Sequence, residues 1–120
     1  AKMTDIILNE LNQFANEGPS TENLNKVKEF MLKKYKENAK ENHLPPYIAL
    51  LAKLREKYPQ LTRNEELLAM LICMNQSTDE IALIMGINRS SVNMIRSRMR
   101  KKIKLTKEES LDEVIKQYLS

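Results

Sequence analysis

The chain has 120 residues, of which 30% are charged, with two glycines and no tryptophan. This composition is typical of a soluble all-α protein with one hydrophobic core. A single cysteine excludes a disulfide framework, and the longest apolar stretch is too short for a bilayer, so we expect a cytoplasmic protein without membrane contact. Eight of the 20 lysines and arginines lie between Ile81 and Lys107 without any acid, whereas the other 12 accompany all 16 acids.

Residues 1–59 contain three apolar patterns with helical spacing. The first is broken at Gly18-Pro19-Ser20, the second ends before Pro45-Pro46, and the third ends at Pro59. We therefore expect two or three amphipathic helices, forming an extension for packing, dimerisation or linkage to a sensor. The apolar residues of the three patterns are Met3, Ile7, Leu11 and Phe14; Leu24, Val27, Met31 and Tyr35; and Tyr47, Leu50, Leu51, Leu54 and Tyr58.

Residues 60–120 are predicted to form a second unit of three or four helices. Its first helix contains the apolar run from Leu67 to Met74, which indicates a helix that is covered on most sides. Ser77 and Glu80 then have the spacing of a capping box, in which each side chain accepts a hydrogen bond from the backbone amide of the other residue. This box predicts the start of a short helix, and Gly86, which can adopt a left-handed backbone conformation, predicts its end.

A further helix follows this turn at once. Asn88 is a suitable N-cap, and apolar residues then recur every three or four positions, so the sequence predicts a helix over about 89–103 with one face in a core. The residues of this inward face are Val92, Ile95, Met99 and Ile103. Two consecutive helices joined by a tight turn are typical of the helix-turn-helix, whose second helix enters the major groove of DNA.

The opposite face of this recognition helix carries side chains that suit a DNA groove. Asn93, Met94 and Ser97 point outward, where Asn can pair with an adenine edge, Ser with several bases, and Met with a thymine methyl group. Ser90 and Lys101 share this face. Basic residues on the flanks can neutralise phosphates and set the register of the helix, and these are Arg96, Arg98, Arg100 and Lys104.

Catalysis and metal binding have little support. The single histidine, His43, lies beside a proline pair, without cysteine, histidine or acidic residues at the spacing of metal ligands. Gly18 and Gly86 are isolated, so the chain has no glycine-rich phosphate loop. Cys73 lies in an apolar helix and is expected in the core. We therefore predict no enzymatic activity, no catalytic residue, no metal site and no cofactor.

A spaced pattern runs from Leu61 to Leu105 and is made of Leu61-Thr62, Glu65, Glu80-Ile81-Ala82, Gly86-Ile87, Ser91-Val92 and an arginine-rich end. This pattern resembles the DNA-binding domain of LuxR-type (NarL/FixJ-type) bacterial transcription regulators, over about half of the chain. It looks closest to the variety in Bacteroides-group regulators, which also have a Lys-Tyr-Pro before the Leu-Thr, an asparagine at the position of Asn75, and an Arg-x-Arg-x-Arg-Lys-Lys run.

The resemblance implies functional positions. Base contacts would come from Asn93, Met94 and Ser97, just after the motif valine. Contacts to the DNA backbone would come from Thr78, Asn88, Arg89, Ser90, Arg96, Arg98, Arg100 and Lys101.

The resemblance also implies a homodimer through the last helix, and the apolar patterns of residues 1–59 offer the N-terminal helices as the alternative contact. The dimer residues would be Leu111, Val114, Ile115 and Tyr118. Thr106 and Glu109 have the spacing of a second capping box ahead of that helix. The family commonly has a glycine where Lys104 stands, so we expect the recognition helix to end less sharply.

Three functions remain open on the sequence. The leading one is a sequence-specific transcription regulator that binds double-stranded DNA as a homodimer, in the bacterial cytoplasm and on the nucleoid. The second is a sigma-factor-like promoter-binding domain, which shares the helix pair. The third is a helical protein-interaction module that keeps the fold without DNA binding, and the eight clustered basic residues argue against it.

Overall fold

The computed structural model of the protein describes residues 3–12, 21–38 and 46–118. Within these ranges the chain forms seven α-helices and no strand, so the predicted all-α fold is confirmed. Phe14, the Gly18-Pro19-Ser20 break and His43 lie outside the described residues. The helices are α1 (Met3–Asn12), α2 (Thr21–Asn38), α3 (Pro46–Lys57), α4 (Arg63–Cys73), α5 (Thr78–Met85), α6 (Arg89–Lys102) and α7 (Leu111–Gln117).

Helix α4 is the centre of the fold. It packs against α3, α6 and α7, and its side chains from Leu67 to Ile72 are at most 1% exposed. Each such leucine, isoleucine or methionine contributes about 1.5–3 kcal/mol relative to an exposed position. The prediction that this apolar run is covered on most sides is confirmed. The helix begins with a capping box between Thr62 and Glu65, both of whose hydrogen bonds are present.

The N-terminal helices belong to the same core. α1 packs on α2, α2 packs on α5, and α3 packs on α4. The Tyr47 hydroxyl donates a hydrogen bond to the Met31 carbonyl (3.2 Å), which joins α3 to α2. The apolar stripes of α1 and α2, as far as they are described, are therefore used within the chain and are not free to contact a second copy. Their buried residues are Ile7, Leu11, Leu24, Val27 and Met31.

Three helices end with a residue in the left-handed conformation. Asn75 (φ 64°), Gly86 (φ 70°) and Lys104 (φ 58°) follow α4, α5 and α6. After each, the next amide donates back to the helix: Gln76 to the Leu71 carbonyl (3.1 Å), Ile87 to that of Ala82 (3.0 Å), and Leu105 to that of Arg100 (3.0 Å). These bonds define Schellman motifs. The expectation that α6 ends less sharply without glycine is wrong, because Lys104 itself adopts the glycine conformation.

The start of α7 also differs from the prediction. The helix begins at Leu111, and its N-cap is Ser110, whose hydroxyl accepts from the Glu113 amide (3.3 Å). The predicted box between Thr106 and Glu109 is half formed: the Glu109 carboxylate accepts from the Thr106 amide (2.9 Å), but the Glu109 amide donates to the Thr106 carbonyl (3.2 Å) in a turn. This half-formed box precedes α7 but does not start it, since the helix begins where Leu111 enters the core.

Candidate nucleic-acid interface

Helices α5 and α6 form two consecutive helices around a tight turn. The Ser77 hydroxyl accepts from the Glu80 amide (3.1 Å), and the Glu80 carboxylate accepts from the Ser77 amide (2.8 Å), so the predicted capping box is confirmed. The bond from the Ser77 amide lowers the pKa of Glu80. Gly86 ends α5 in the predicted left-handed conformation. A Cβ added to Gly86 would overlap the side chain of Asn23, so α2 lies directly against this turn.

Helix α6 is fixed at its start by Asn88. The Asn88 side-chain oxygen accepts from the Ser91 amide (2.8 Å) and from the Ser90 hydroxyl (2.8 Å). The inward face predicted for this helix is confirmed, with Val92 and Met99 fully buried. Ile95 and Ile103 complete this face, the first half-buried and the second 8% exposed.

The three residues predicted to contact bases lie together on the outer face of α6. Asn93 and Ser97 are exposed, and 52% of Met94 is exposed. The N-terminal helices pack on α5 and α4 and leave this face open to solvent. A duplex could therefore approach these three side chains without rearrangement of the described part of the chain.

Two of the predicted backbone-contact arginines have partners within the protein. Arg96 forms an ion pair with Asp112 of α7. Arg100 donates to the carbonyls of Glu109 (2.8 Å) and Thr106 (2.7 Å). Both arginines are half-buried and hold the segment that leads into α7. The sequence assigned them to phosphates, and their position on the flank of α6 gave no sign of these tertiary contacts.

The remaining predicted cations are more accessible. Arg98 and Lys101 are exposed, and in the described part of the chain neither forms an ion pair. Arg89 is 67% exposed and lies 3.3 Å from Asp79, which is itself 74% exposed, and such a solvated pair is worth little and exchanges readily. These residues leave a positively charged surface beside Asn93 and Ser97.

Three polar residues predicted to contact the DNA backbone lie at the N-terminal ends of α5 and α6. Thr78 is the first residue of α5 and is half-buried, whereas Asn88 and Ser90 at the start of α6 are exposed. The first amides of a helix lack partners within the helix and favour anions. This position is compatible with the phosphate role that the sequence assigned to them.

Lys102 differs from its neighbour Lys101. Its ammonium group lies 2.8 Å from a carboxylate oxygen of Glu65, which is 2% exposed, and this oxygen also accepts from the Thr62 amide (2.7 Å). The second buried acid, Glu66, is paired with Arg55 (3.1 Å) and Arg63 (2.8 Å). Sequence reasoning missed these buried pairs, because only the capping-box spacing of Glu65 is visible along the chain.

The predicted dimer residues of α7 belong largely to the protein's own core. Leu111 and Ile115 are 2% and 1% exposed, and Val114 and Tyr118 are half-buried against the core. The assignment of Leu111 and Ile115 to a dimer contact is therefore wrong for this arrangement, since α4 already covers them.

Tyr118 of α7 is held by residues at the end of α3. The hydroxyls of Tyr118 and Tyr58 share a hydrogen bond (3.0 Å), and the two rings meet edge to face, with centroids 6.2 Å apart. This hydrogen bond, together with burial, raises the pKa of Tyr58 to about 12. Lys53 also donates to the Tyr118 carbonyl (2.7 Å). α7 is thus fixed to α3 as well as to α4.

In the described ranges, no cluster of three or more histidine, cysteine or acidic side chains is arranged to hold a metal. Burial raises the pKa of the Cys73 thiol to about 11, so the thiol stays protonated and is a poor nucleophile. None of the helices seen in the structure combines the length and apolar character needed to cross a bilayer.

The arrangement as a whole is an exposed polar helix face, bordered by free cations, on a helix held from behind by buried apolar residues. Such a face can present hydrogen-bonding groups and positive charge to a polyanion. Comparison of the chain with protein-family models, with curated proteins and with solved structures finds no match.

Proposed function

We propose that the protein is a sequence-specific DNA-binding transcription regulator of the LuxR type, with α6 as the helix that enters the major groove. The observation that carries this proposal is the exposed outer face of α6, where Asn93, Met94 and Ser97 lie beside the free cations Arg98 and Lys101. The stretch from Ile81 to Lys107 contains eight basic residues and no acid, which favours a polyanionic partner.

The contacts to DNA divide into two classes. Asn93, Met94 and Ser97 would meet base edges, which carry sequence information. Arg98 and Lys101 would meet phosphates, which fix register and supply most of the non-specific affinity. Arg89 joins this second class when it exchanges Asp79 for a phosphate, and Thr78, Asn88 and Ser90 can contact phosphates at the helix starts.

The proposed assembly is two copies on adjacent half-sites in the bacterial cytoplasm, on the nucleoid. The α6 helices of a helix-turn-helix dimer lie about 34–36 Å apart, one turn of the duplex. Contact between the copies would have to use surface other than Leu111 and Ile115, because both are buried. Among the described residues the large hydrophobic side chains that are exposed are Leu83 and Met94, so we expect the copies to associate on DNA more strongly than in solution.

Selection of bound sites from a random duplex pool tests this function. The proposal expects enrichment of a motif with two related half-sites, and an affinity for the selected duplex that exceeds that for random duplex by at least about 10³-fold. Arg98→Ala should weaken binding to both duplexes. Lys26→Ala removes the same charge from the exposed face of α2 and serves as the matched control.

Two results would reject the proposal. One is the absence of any retained duplex at about 0.1 M salt, which the interaction-module alternative expects. The other is equal weakening by Arg98→Ala and Lys26→Ala, since α6 would then have no special part in binding.

A further inference from the structure

Met94 is an apolar side chain on the outer face of α6, which is otherwise polar. It is 52% exposed, and the residues one helical turn away on either side include Ser90, Ser97 and Arg98, all exposed. A single exposed methionine needs no explanation in itself. Its position matters because Val92 and Met99 anchor the opposite side of α6 in the core and fix which side faces outward.

The major groove offers one kind of apolar group to such a side chain. This group is the methyl at C5 of a pyrimidine, carried by thymine and by 5-methylcytosine, whereas the other groups along the groove edge are hydrogen-bond donors and acceptors. A methionine side chain is flexible and polarisable, so it can pack on a methyl group without a preformed pocket. The positive charge of Arg98 and Lys101 beside it favours DNA as the occupant over an apolar protein surface.

We infer that Met94 reads the C5 methyl group of one pyrimidine in each half-site. This inference rests on the proposed DNA-binding function and adds to it the chemical feature that one base must carry. Thymine and 5-methylcytosine share the methyl group and differ at position 4, which is a carbonyl acceptor in thymine and an amino donor in 5-methylcytosine.

The test uses the full chain and the duplex enriched from the random pool, with each thymine replaced in turn by uracil. Replacement removes the methyl group and leaves the hydrogen-bonding edge unchanged. One position in each half-site should lose about four-fold in affinity, which corresponds to about 0.8 kcal/mol for one buried methyl group. At that position the affinities for duplexes with cytosine and with 5-methylcytosine are also measured. Whichever of thymine and 5-methylcytosine is bound more tightly is the natural source of the methyl group.

The matched variants are Met94→Ala and Leu83→Ala. Both shorten an exposed apolar side chain, and Leu83, which is 81% exposed, lies on α5. Met94→Ala should bind the thymine and uracil duplexes equally, whereas Leu83→Ala should keep the four-fold difference. Because neither side chain is in the core, both variants should unfold at the temperature of the wild type.

Different failures separate the inference from the function on which it rests. Selective binding with no uracil-sensitive position, or a Met94→Ala variant that keeps the uracil effect, overturns the role of Met94 and leaves DNA binding intact. Failure to retain any duplex at about 0.1 M salt overturns both.

Discussion

Arg96 of helix α6 is paired with Asp112 of helix α7. The two side chains are 23% and 41% exposed, so the pair lies at the edge of the candidate interface rather than inside the protein. Arg96 is therefore engaged by an acid of the same chain, as Arg89 and Lys102 also are. Any phosphate that approaches Arg96 has to compete with this carboxylate.

Asp112→Asn should free Arg96 for DNA. We expect tighter binding to both cognate and random duplex, with the slope of log affinity against log salt steeper by about one unit. The free energy of unfolding should fall by at most about 1 kcal/mol, because the pair is partly solvated. Fluorescence titration over a series of salt concentrations measures the slope. Glu113→Gln, one position along α7, removes an exposed acid and is the control; an equal change in both variants would show that only net charge matters.

Lys101 and Lys102 are neighbours in sequence with different expected roles. Lys101→Ala should reduce the salt slope by about one unit and leave stability unchanged, since Lys101 is exposed. Lys102→Ala should cost about 1.5–3 kcal/mol of unfolding free energy, because it removes a charged hydrogen bond to the buried Glu65. Urea unfolding and DNA titration of both variants check this division. Equal loss of stability in the two variants would contradict it.

Asn93 and Arg98 should differ in how they affect specificity. Asn93→Ala should cost about 1–3 kcal/mol at one base position and relax the preference there. Arg98→Ala should weaken cognate and random duplexes alike. Titration against duplexes with single base-pair changes distinguishes the two effects. If both variants lose affinity uniformly, the assignment of Asn93 to a base edge is rejected.

Lys104 is held in a conformation that costs a residue with a side chain about 1–2 kcal/mol. Lys104→Gly should relieve this cost and raise the free energy of unfolding by about 0.5–1 kcal/mol, after the greater entropy of glycine in the unfolded chain is subtracted. Lys104→Ala removes the same charge but retains a Cβ, so it should bring no such gain. Thermal unfolding of the three proteins measures the difference, and a gain shared by both variants would point to charge instead of backbone strain.

The capping box of α5 should make stability depend on pH in acid. The pKa of Glu80 is lowered from its usual 4.5 in the folded protein by the bonds from Ser77. Because the pKa is lower in the folded protein, ionised Glu80 stabilises the fold fully at pH values above 4.5. This stabilisation is lost as the pH falls below that value. The stability difference between the wild type and Glu80→Gln should accordingly be constant near neutrality and shrink below this pH. Glu108→Gln, outside any capping box, should show no such convergence.

Local chemistry predicted most of the candidate interface. Ser77, Gly86 and Asn88 act through hydrogen bonds and backbone conformations within three or four residues, so their effect on α5 and α6 is visible along the chain. The helix predicted over about 89–103 is observed as Arg89–Lys102. The same periodicity placed Asn93, Met94 and Ser97 on the exposed face.

Contacts between distant residues were not predictable in this way. Arg96 and Arg100 were grouped with Arg98, because all three lie on the flanks of one helix and spacing cannot show which flank α7 will cover. Lys104 adopts the left-handed conformation in a turn closed by the bonds from its own amide and that of Leu105 to carbonyls of α6, which the backbone preference of lysine does not predict. The packing of α2 on α5 likewise depends on tertiary structure alone.

The contact of Asn23 with the turn at Gly86 has a mechanical consequence. Because α2 packs on α5 and α5 packs on α6, a displacement of α2 would also change the orientation of α6. A fragment that starts at residue 60 would contain the whole candidate interface. It would also expose to water the apolar faces of α4 and α5 that α3 and α2 cover. We therefore expect a folded fragment to need α2 and α3 in addition to the helices that would face a duplex.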